Sequence, residues 1–278
     1  MTVRVVTDSS SRLSIEERER WGIRQVPLHV LVDDLDLRDG IDTIPNDIFD
    51  RNQVTTSGAS PADLAQAYRE ALVDSDGDGV VAVHLSAALS STFSSAAAAA
   101  REFGSAVRVV NTRSAGMGVG CIALAAARAA EAGAELDAVE AAARAAVLRS
   151  HVFIVVHRLD NLRRSGRIGT AASWLATALS VKPLLRLDVD GRLVLAQRVR
   201  TVSKAHAAMV DSIADLVGDR SATITVHHVD NHDAAAEVGA ALTARLPQVE
   251  ALTVTDLGAV LAVHVGAGAV GACVNLAE

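Results

Sequence analysis

The chain has 278 residues, 50% hydrophobic and 21% charged, with a formal net charge of −7 and aromatics at only 3%. That length suits one large or two modest domains, and the acidic balance argues against a nucleic-acid or anionic-membrane partner, which requires a basic face. Two cysteines, Cys121 and Cys273, make a disulfide scaffold or a CxxC redox or zinc site unexpected, and no apolar run reaches the ~20 residues of a membrane span.

The opening MTVRVVTDSS runs straight into a strand-like stretch at 3–7, without the basic region and long apolar stretch of a secretory leader. A cytoplasmic protein with no integral membrane association is expected. Ser14, followed by Glu16 and Glu17, marks a helix start. A second strand is predicted over 26–32, and then an acidic, irregular flap from Asp33 to Asn52, broken by Gly40 and Pro45. Ser60-Pro61-Ala62-Asp63 places Ser at the N-cap, Pro at N1 and Asp at N3 of a helix reaching about Val73. Beyond it come a strand at 80–85, an Ala-rich helix from Ser90 to Phe103 stopped by Gly104, and a strand at 107–111. Helices at 118–132 and 137–149 close this half. Strands alternating with helices imply a mainly parallel sheet flanked by helices.

The second half differs. A strand at 151–156 leads into a basic, Gly-containing segment at 159–169. Segments 184–188 and 193–197 flank an Asp-Gly hairpin signal, and two helix–strand pairs follow, 203–217 with 223–228 and 234–246 with 249–255. The expected fold is therefore α/β and two-lobed: 1–150 as an N-terminal α/β lobe and 151–278 as a C-terminal α+β lobe with a mixed or antiparallel sheet, the boundary lying near Ser150.

Several motifs resolve into bland readings. Asp74 to Gly79 matches the first half of an EF-hand loop, but Leu85 stands where a bidentate Glu is needed and a strand follows, so a turn is expected. Gly266-Ala-Gly268-Ala-Val-Gly271 spells a dinucleotide fingerprint too close to the end of the sequence for the rest of that unit, and the GxGxxA run at Gly118 lacks the acid about 20 residues on. Neither a P-loop nor a GxSxG elbow is present. His227, His228 and His232 lack companion ligands and are expected as surface histidines, with no metal site.

Two hydroxyl clusters remain: Thr55-Thr56-Ser57 ahead of the capped helix, and Ser90-Ser91-Thr92 opening the next one. Helix N-termini at the carboxyl ends of parallel strands suit an anion, and capping alone accounts for the same residues. His264, in the apolar run 259–265 taken as a strand, fits either a core histidine or a ligand contact.

Six segments in order, VTDSSSRL at Val6, TTSGASP at Thr55, HLSAALSSTF at His84, NTRSAGMGVG at Asn111, LDNLRRSGRIG at Leu159 and VHVGAGAVG at Val263, give the chain a resemblance to the DegV family along essentially its whole length. These are the fatty-acid-binding subunits of bacterial fatty acid kinases. The chain departs from the family pattern at Gly58-Ala59, Ser91-Thr92-Phe93 and Ser165-Gly166, where Gln-Pro, Gly-Thr-Tyr and Gly-Gly are common. The resemblance implies two α/β lobes with a lipid between them and no cofactor beyond that acid. It places the carboxylate on Thr56, Ser90 and His264, with Ser57 and Ser91 as secondary head-group candidates. It further implies a non-catalytic subunit that presents the acid to a separate ATP-dependent kinase subunit, which makes the acyl phosphate. Arg163, Arg164 and Arg167 are candidates for contact with that partner, or else solvated loop arginines. Hydroxyls and an imidazole would replace the carboxylate's water at roughly 1.5–3 kcal/mol per charge-assisted bond, and about 14 buried methylenes would add on the order of 11 kcal/mol gross. Two rivals stay open: a hydrolase or acyltransferase using Ser90, His264 and Asp8, and a lipid chaperone or sensor with no kinase partner.

Overall fold

The computed structural model describes residues 2–45, 48, 54–168 and 182–277. The first half builds a four-stranded parallel sheet in the order β2-β1-β6-β7, from β1 (Arg4–Asp8), β2 (Ile23–Val26), β6 (Val80–His84) and β7 (Val107–Asn111). Every residue of β6 is buried, as a parallel strand covered on both faces requires. Helices α2 (Pro61–Asp74) and α3 (Thr92–Ala100) pack together on this sheet, and so do α4 (Met117–Glu131) and α5 (Leu136–Arg149). A small antiparallel sheet, β4-β3-β5, stands beside it.

The capping logic holds. Ser14 and Glu17 form a reciprocal capping box on α1 (Ile15–Arg20), and Ser60 Oγ accepts the Asp63 amide with Pro61 at N1 of α2. The stretch 26–32, read as one strand, is instead the end of β2 and all of β3 (His29–Val32), which belong to different sheets. Pro27 between them has no N–H for a ladder, so the chain leaves the parallel sheet there. The flap is more regular than expected: β4 (Leu35–Arg38) pairs with β3, and β3 pairs with β5 (Val54–Ser57). The Ala-rich helix starts two residues later than predicted and tightens at Ala100 into 3-10 turns, with Gly104 at φ 56.

The second half forms a six-stranded mixed sheet, β10-β9-β8-β13-β11-β12. Its strands are β8 (Ser150–Val155), β9 (Lys182–Leu187), β10 (Leu193–Val199), β11 (Ala222–His228), β12 (Val249–Asp256) and β13 (Val270–Leu276), antiparallel throughout except for the β11–β12 pair. Helices α7 (Val202–Val217) and α8 (His232–Arg245) cover it. The basic segment contains a short helix, α6 (Asp160–Arg164), and its last residue, Gly169, lies outside the described residues. The β9–β10 connection is a three-residue turn rather than the two-residue kind: Gly191 N–H donates to Asp188 O, and Gly191 takes φ 76. The run 259–265, taken as a strand, is helix α9 (Ala259–Val265), enclosed by Gly258 at φ 83 and Gly266 at φ 82. These are positions where a side chain would strain the backbone.

Each half has its own apolar core, and α9 crosses between them by packing Val260 into the first. Beneath the first sheet's carboxyl edge lies a fully buried polar chain. Tyr68 O–H donates to His84 Nε2 (3.0 Å), His84 Nδ1–H donates to Asp8 Oδ2 (3.0 Å), and the Leu85 amide donates to the same oxygen (3.1 Å). Removing one end leaves a buried partner unsatisfied. Urea unfolding should therefore show Asp8→Ala to be destabilised by about 3–5 kcal/mol and Tyr68→Phe by about 1–3 kcal/mol; losses under about 0.5 kcal/mol for both would mean that the chain adds nothing to the fold.

Candidate functional site

An apolar cavity of about 250 Å³ lies between the two halves. Leu28, Leu85 and Leu89 wall it from the first half, and Val152, Ile154 and Leu193 from the second. Thr56, Ser90 and His264, with Ser57 and Ser91, all line this one cavity, although they come from a strand, a loop and a helix. A larger hollow of about 520 Å³ beside α4 and α5 contains none of these residues.

Thr56, which the sequence places just ahead of the helix capped at Ser60, sits on β5, in register with Val30. Its Oγ1 is 2.8 Å from His264 Nε2, a contact between residues 208 apart in sequence. His264 Nδ1 is buried without a hydrogen-bond partner. Orphaned buried N–H groups are rare, so we assign the proton to Nε2, donating to Thr56 Oγ1. The Thr56 hydroxyl then keeps its own proton for an acceptor in the cavity. Burial, reinforced by the nearby Arg167 guanidinium, holds the His264 pKa down at about 4, so the imidazole is neutral at physiological pH.

Ser90 does stand at a helix start. Its Oγ accepts the Thr92 amide (3.2 Å) and lies 2.9 Å from Thr92 Oγ1, while the N-cap residue Ser91 is exposed and makes no side-chain cap bond. Ser57 points its hydroxyl at Gly58 O (3.2 Å). A Cβ added at Gly58 would come within 2.7 Å of Thr92 Oγ1, so this glycine lets the β5 loop approach the α3 start closely.

The three arginines separate. Arg163 and Arg164 are exposed, Arg164 donating to Asn161 Oδ1 (3.0 Å). Arg167 is half-buried on the cavity wall, donating from Nε to Leu89 O (3.1 Å) and from Nη1 to Ser165 O (2.5 Å). A cation therefore stands beside the candidate head-group residues, where the sequence suggested hydroxyls, an imidazole and a helix N-terminus without a Lys or Arg. A second cavity of about 220 Å³, more polar than the first, shares Thr56, Arg167 and His264 with it and adds Asn161, Arg164 and Ser165 beside Val54 and Val263. The Thr56–His264 pair thus belongs to an apolar chamber and a cationic one at once.

The hydrolase arrangement is not assembled. Asp8 is committed to His84, to the Leu85 amide and to Ser10, whose N–H and O–H both reach Oδ1; His264 is engaged with Thr56, and Ser90 with Thr92. Among the described residues no group of three His, Cys, Asp or Glu could hold a metal. His227, expected on the surface, is instead buried in the wall of the apolar cavity, with Nε2 accepting the Met117 amide at the start of α4 (3.0 Å). Burial first, then Arg12, holds its pKa at about 4. The EF-hand-like run is a turn, with Asp74 Oδ2 bound by Arg24 (2.6 Å) and Asp76, Gly77 and Gly79 at positive φ. Of the second glycine motif, Gly266 caps α9 and Gly271 lies on β13.

The model of the DegV family, described as "Uncharacterised protein, DegV family", matches residues 2–276. This chain belongs to the DegV family. A DegV domain-containing protein of Mycobacterium tuberculosis is 62% identical over 276 residues, 99% of this chain and 98% of its own. Among solved structures, the DegV family protein from Thermus thermophilus, described in terms of fatty acid binding, superposes with a TM-score of 0.93 at 36% identity, covering 100% of both chains. DegV from Bacillus subtilis, described as a fatty acid binding protein, gives 0.88 at 28% identity, again with 100% of each chain covered. Among the described residues of this DegV protein no helix is long and apolar enough to cross a membrane.

Because the folded pKa of His264 (about 4) lies below the ordinary value of 6.5, the unfolded chain binds more protons between those limits. The associated stability is present above pH 6.5 and is lost as pH falls toward 4. Urea midpoints should therefore drop less between pH 7 and pH 5 in His264→Gln than in the parent; equal drops would mean that His264 is not held neutral.

Proposed function

We propose that this DegV protein binds a long-chain fatty acid between lobes 1–150 and 151–278 and presents its carboxylate to a separate ATP-dependent kinase subunit for acyl-phosphate formation. The protein itself is not catalytic and needs no cofactor. The observation that carries this reading is the placement of Thr56, His264 and Arg167, which face an apolar chamber on one side and a small cationic one on the other. Fatty acid binding by the Thermus thermophilus and Bacillus subtilis proteins supports the same reading.

On this reading the Thr56 and Ser90 hydroxyls donate to the carboxylate, and neutral His264 sets the direction of the Thr56 proton. Arg167 supplies the counter-charge beside them. The acyl tail lies against Leu28, Leu85, Val152 and Ile154, where each methylene removed from water contributes about 0.8 kcal/mol. Lipid ordering and lost freedom offset part of that gain. The carboxylate's outer face meets the polar chamber, whose Arg164 and Arg167 suit an incoming phosphoryl group. Ser57 and Ser91 border the head group, and Arg163 and Arg164, exposed on α6, are placed to meet the kinase subunit.

Denaturing the purified protein and identifying the released lipid by mass spectrometry should yield a long-chain fatty acid. Thr56→Ala and Ser90→Ala should each weaken binding of palmitate roughly 10-fold or more, the worth of a hydrogen bond to a charged group. The double variant should also lose acyl-phosphate formation with a kinase subunit and ATP. A folded double variant with parental affinity and phosphorylation would refute the head-group assignment. Hydrolysis of p-nitrophenyl esters that disappears in Ser90→Ala would favour the hydrolase instead.

A further inference from the structure

The loop from β6 to α3 carries Ser90 into the cavity, and its shape is organised by a different serine. Ser86 is fully buried. Its carbonyl accepts the amides of Leu89 (3.0 Å) and Ser90 (3.1 Å), its own amide donates to Ser114 O (2.9 Å), and its Oγ accepts the Ala88 amide (3.2 Å). That leaves the hydroxyl proton, which crosses to the other lobe and is donated to Gly191 O (2.8 Å) at the tip of the β9–β10 hairpin. Ser86 is thus the turn centre for Ser90 and at the same time an interlobe contact.

The hairpin tip is built for close approach. Gly191 is buried at φ 76, and a Cβ there would stand 2.2 Å from Ser86 Oγ and 2.7 Å from Arg113 Cα. Any other residue would hold the tip off the first lobe. Arg113 Nη1 adds a second tie, donating to Val189 O (3.2 Å) on the exposed side. The two arms of the same hairpin supply Leu187 and Leu193 to the cavity wall. Moving the tip therefore moves the wall that would cover an acyl chain, and it releases the loop that holds Ser90.

We infer that Ser86 is a positioning residue for Ser90, and that the hairpin tip docked on it through Gly191 is the latch that keeps the interlobe cavity closed over its ligand. The inference rests on the fatty-acid reading above. It deepens that reading by assigning retention of the acid to a contact that touches no ligand atom. Ser86 is no nucleophile here, since its proton is committed to a backbone carbonyl.

The test is release of radiolabelled palmitate from loaded protein to phosphatidylcholine vesicles, with circular dichroism to confirm folding. Ser86→Ala and Gly191→Val cut the same contact from opposite sides, and each should speed release roughly tenfold, the scale of one buried hydrogen bond. The double variant should be no faster than the faster single, because neighbours sharing one interaction are not additive. Arg113→Ala unties only the exposed side, leaves the core intact, and should quicken release about two- to fivefold. Release at the parental rate in Arg113→Ala and in a folded Ser86→Ala overturns the latch, as does a double variant whose effects multiply. A parent protein that takes up no palmitate overturns the fatty-acid reading and the latch with it.

Discussion

The Thr56–His264 hydrogen bond is the contact on which the rest of the site depends. It joins a strand of the small antiparallel sheet to a helix 208 residues later, so it exists only when both lobes are folded and seated. Everything that seats α9 therefore acts on this candidate head-group site at a distance. Gly258 N–H donates to Asp256 Oδ1 (2.6 Å), and Arg12 lies against Gly258 within reach of Asp256 (3.8 Å). The helix start is thereby held by a residue of the first lobe, and Val260 anchors the helix body in that lobe's core. A half-buried His with one partner and a buried, orphaned ring nitrogen is a costly arrangement, tolerated where the geometry serves a ligand.

Four further interlobe contacts share a chemistry. Ser86 donates to Gly191 O, Arg167 to Leu89 O, Arg113 to Val189 O, and Met117 N–H donates to His227. Each pairs a side chain of one lobe with the backbone of the other. Backbone groups are fixed by their own secondary structure, so such contacts set position with no side-chain entropy lost on the backbone side. They also require close approach, which explains the glycines at the boundary: Gly116 leaves its Cβ space to His227, and Gly191 leaves its space to Ser86.

Much of this was legible in the sequence where a local rule decides it. Ser14 with Glu17 and Ser60 with Pro61 fix two helix starts through caps that need no tertiary partner. The alternation of strands and helices up to Arg149 gave the parallel sheet, and Asp190-Gly191 gave the hairpin. The failures are tertiary or hinge on one residue. Pro27 splits an apolar run into strands of two sheets, and an alternation reading passes over it. The seven-residue run at 259–265, six apolar residues and His264, suits strand or helix equally, and only the flanking glycines and the docking of Val260 decide for helix. His227 read as a surface histidine because no Cys or carboxylate completed a metal site with His228 and His232. Its burial follows from the face of β11 it occupies, which packs against Gly116 and Met117 at the start of α4, and no local pattern reveals that. Ser86 and Arg167 lie inside motifs that were recognised, yet their roles depend on partners 105 and 78 residues away.

The electrostatics of the cavity follow from what each group does before a ligand arrives. Arg167 donates to two carbonyls, Leu89 O and Ser165 O, and among the described residues no carboxylate pairs with it, so dipoles solvate its charge. That positive field, added to burial, keeps His264 neutral. A carboxylate entering between them would reverse the balance, meeting a standing counter-charge and two hydroxyl protons without any protein acid having to be displaced. A protein ion pair at this place would have to break before an anion could bind. Arg167 paired with carbonyls avoids that competition, and a neutral imidazole can direct the Thr56 proton toward the ligand without itself becoming a second charge to bury.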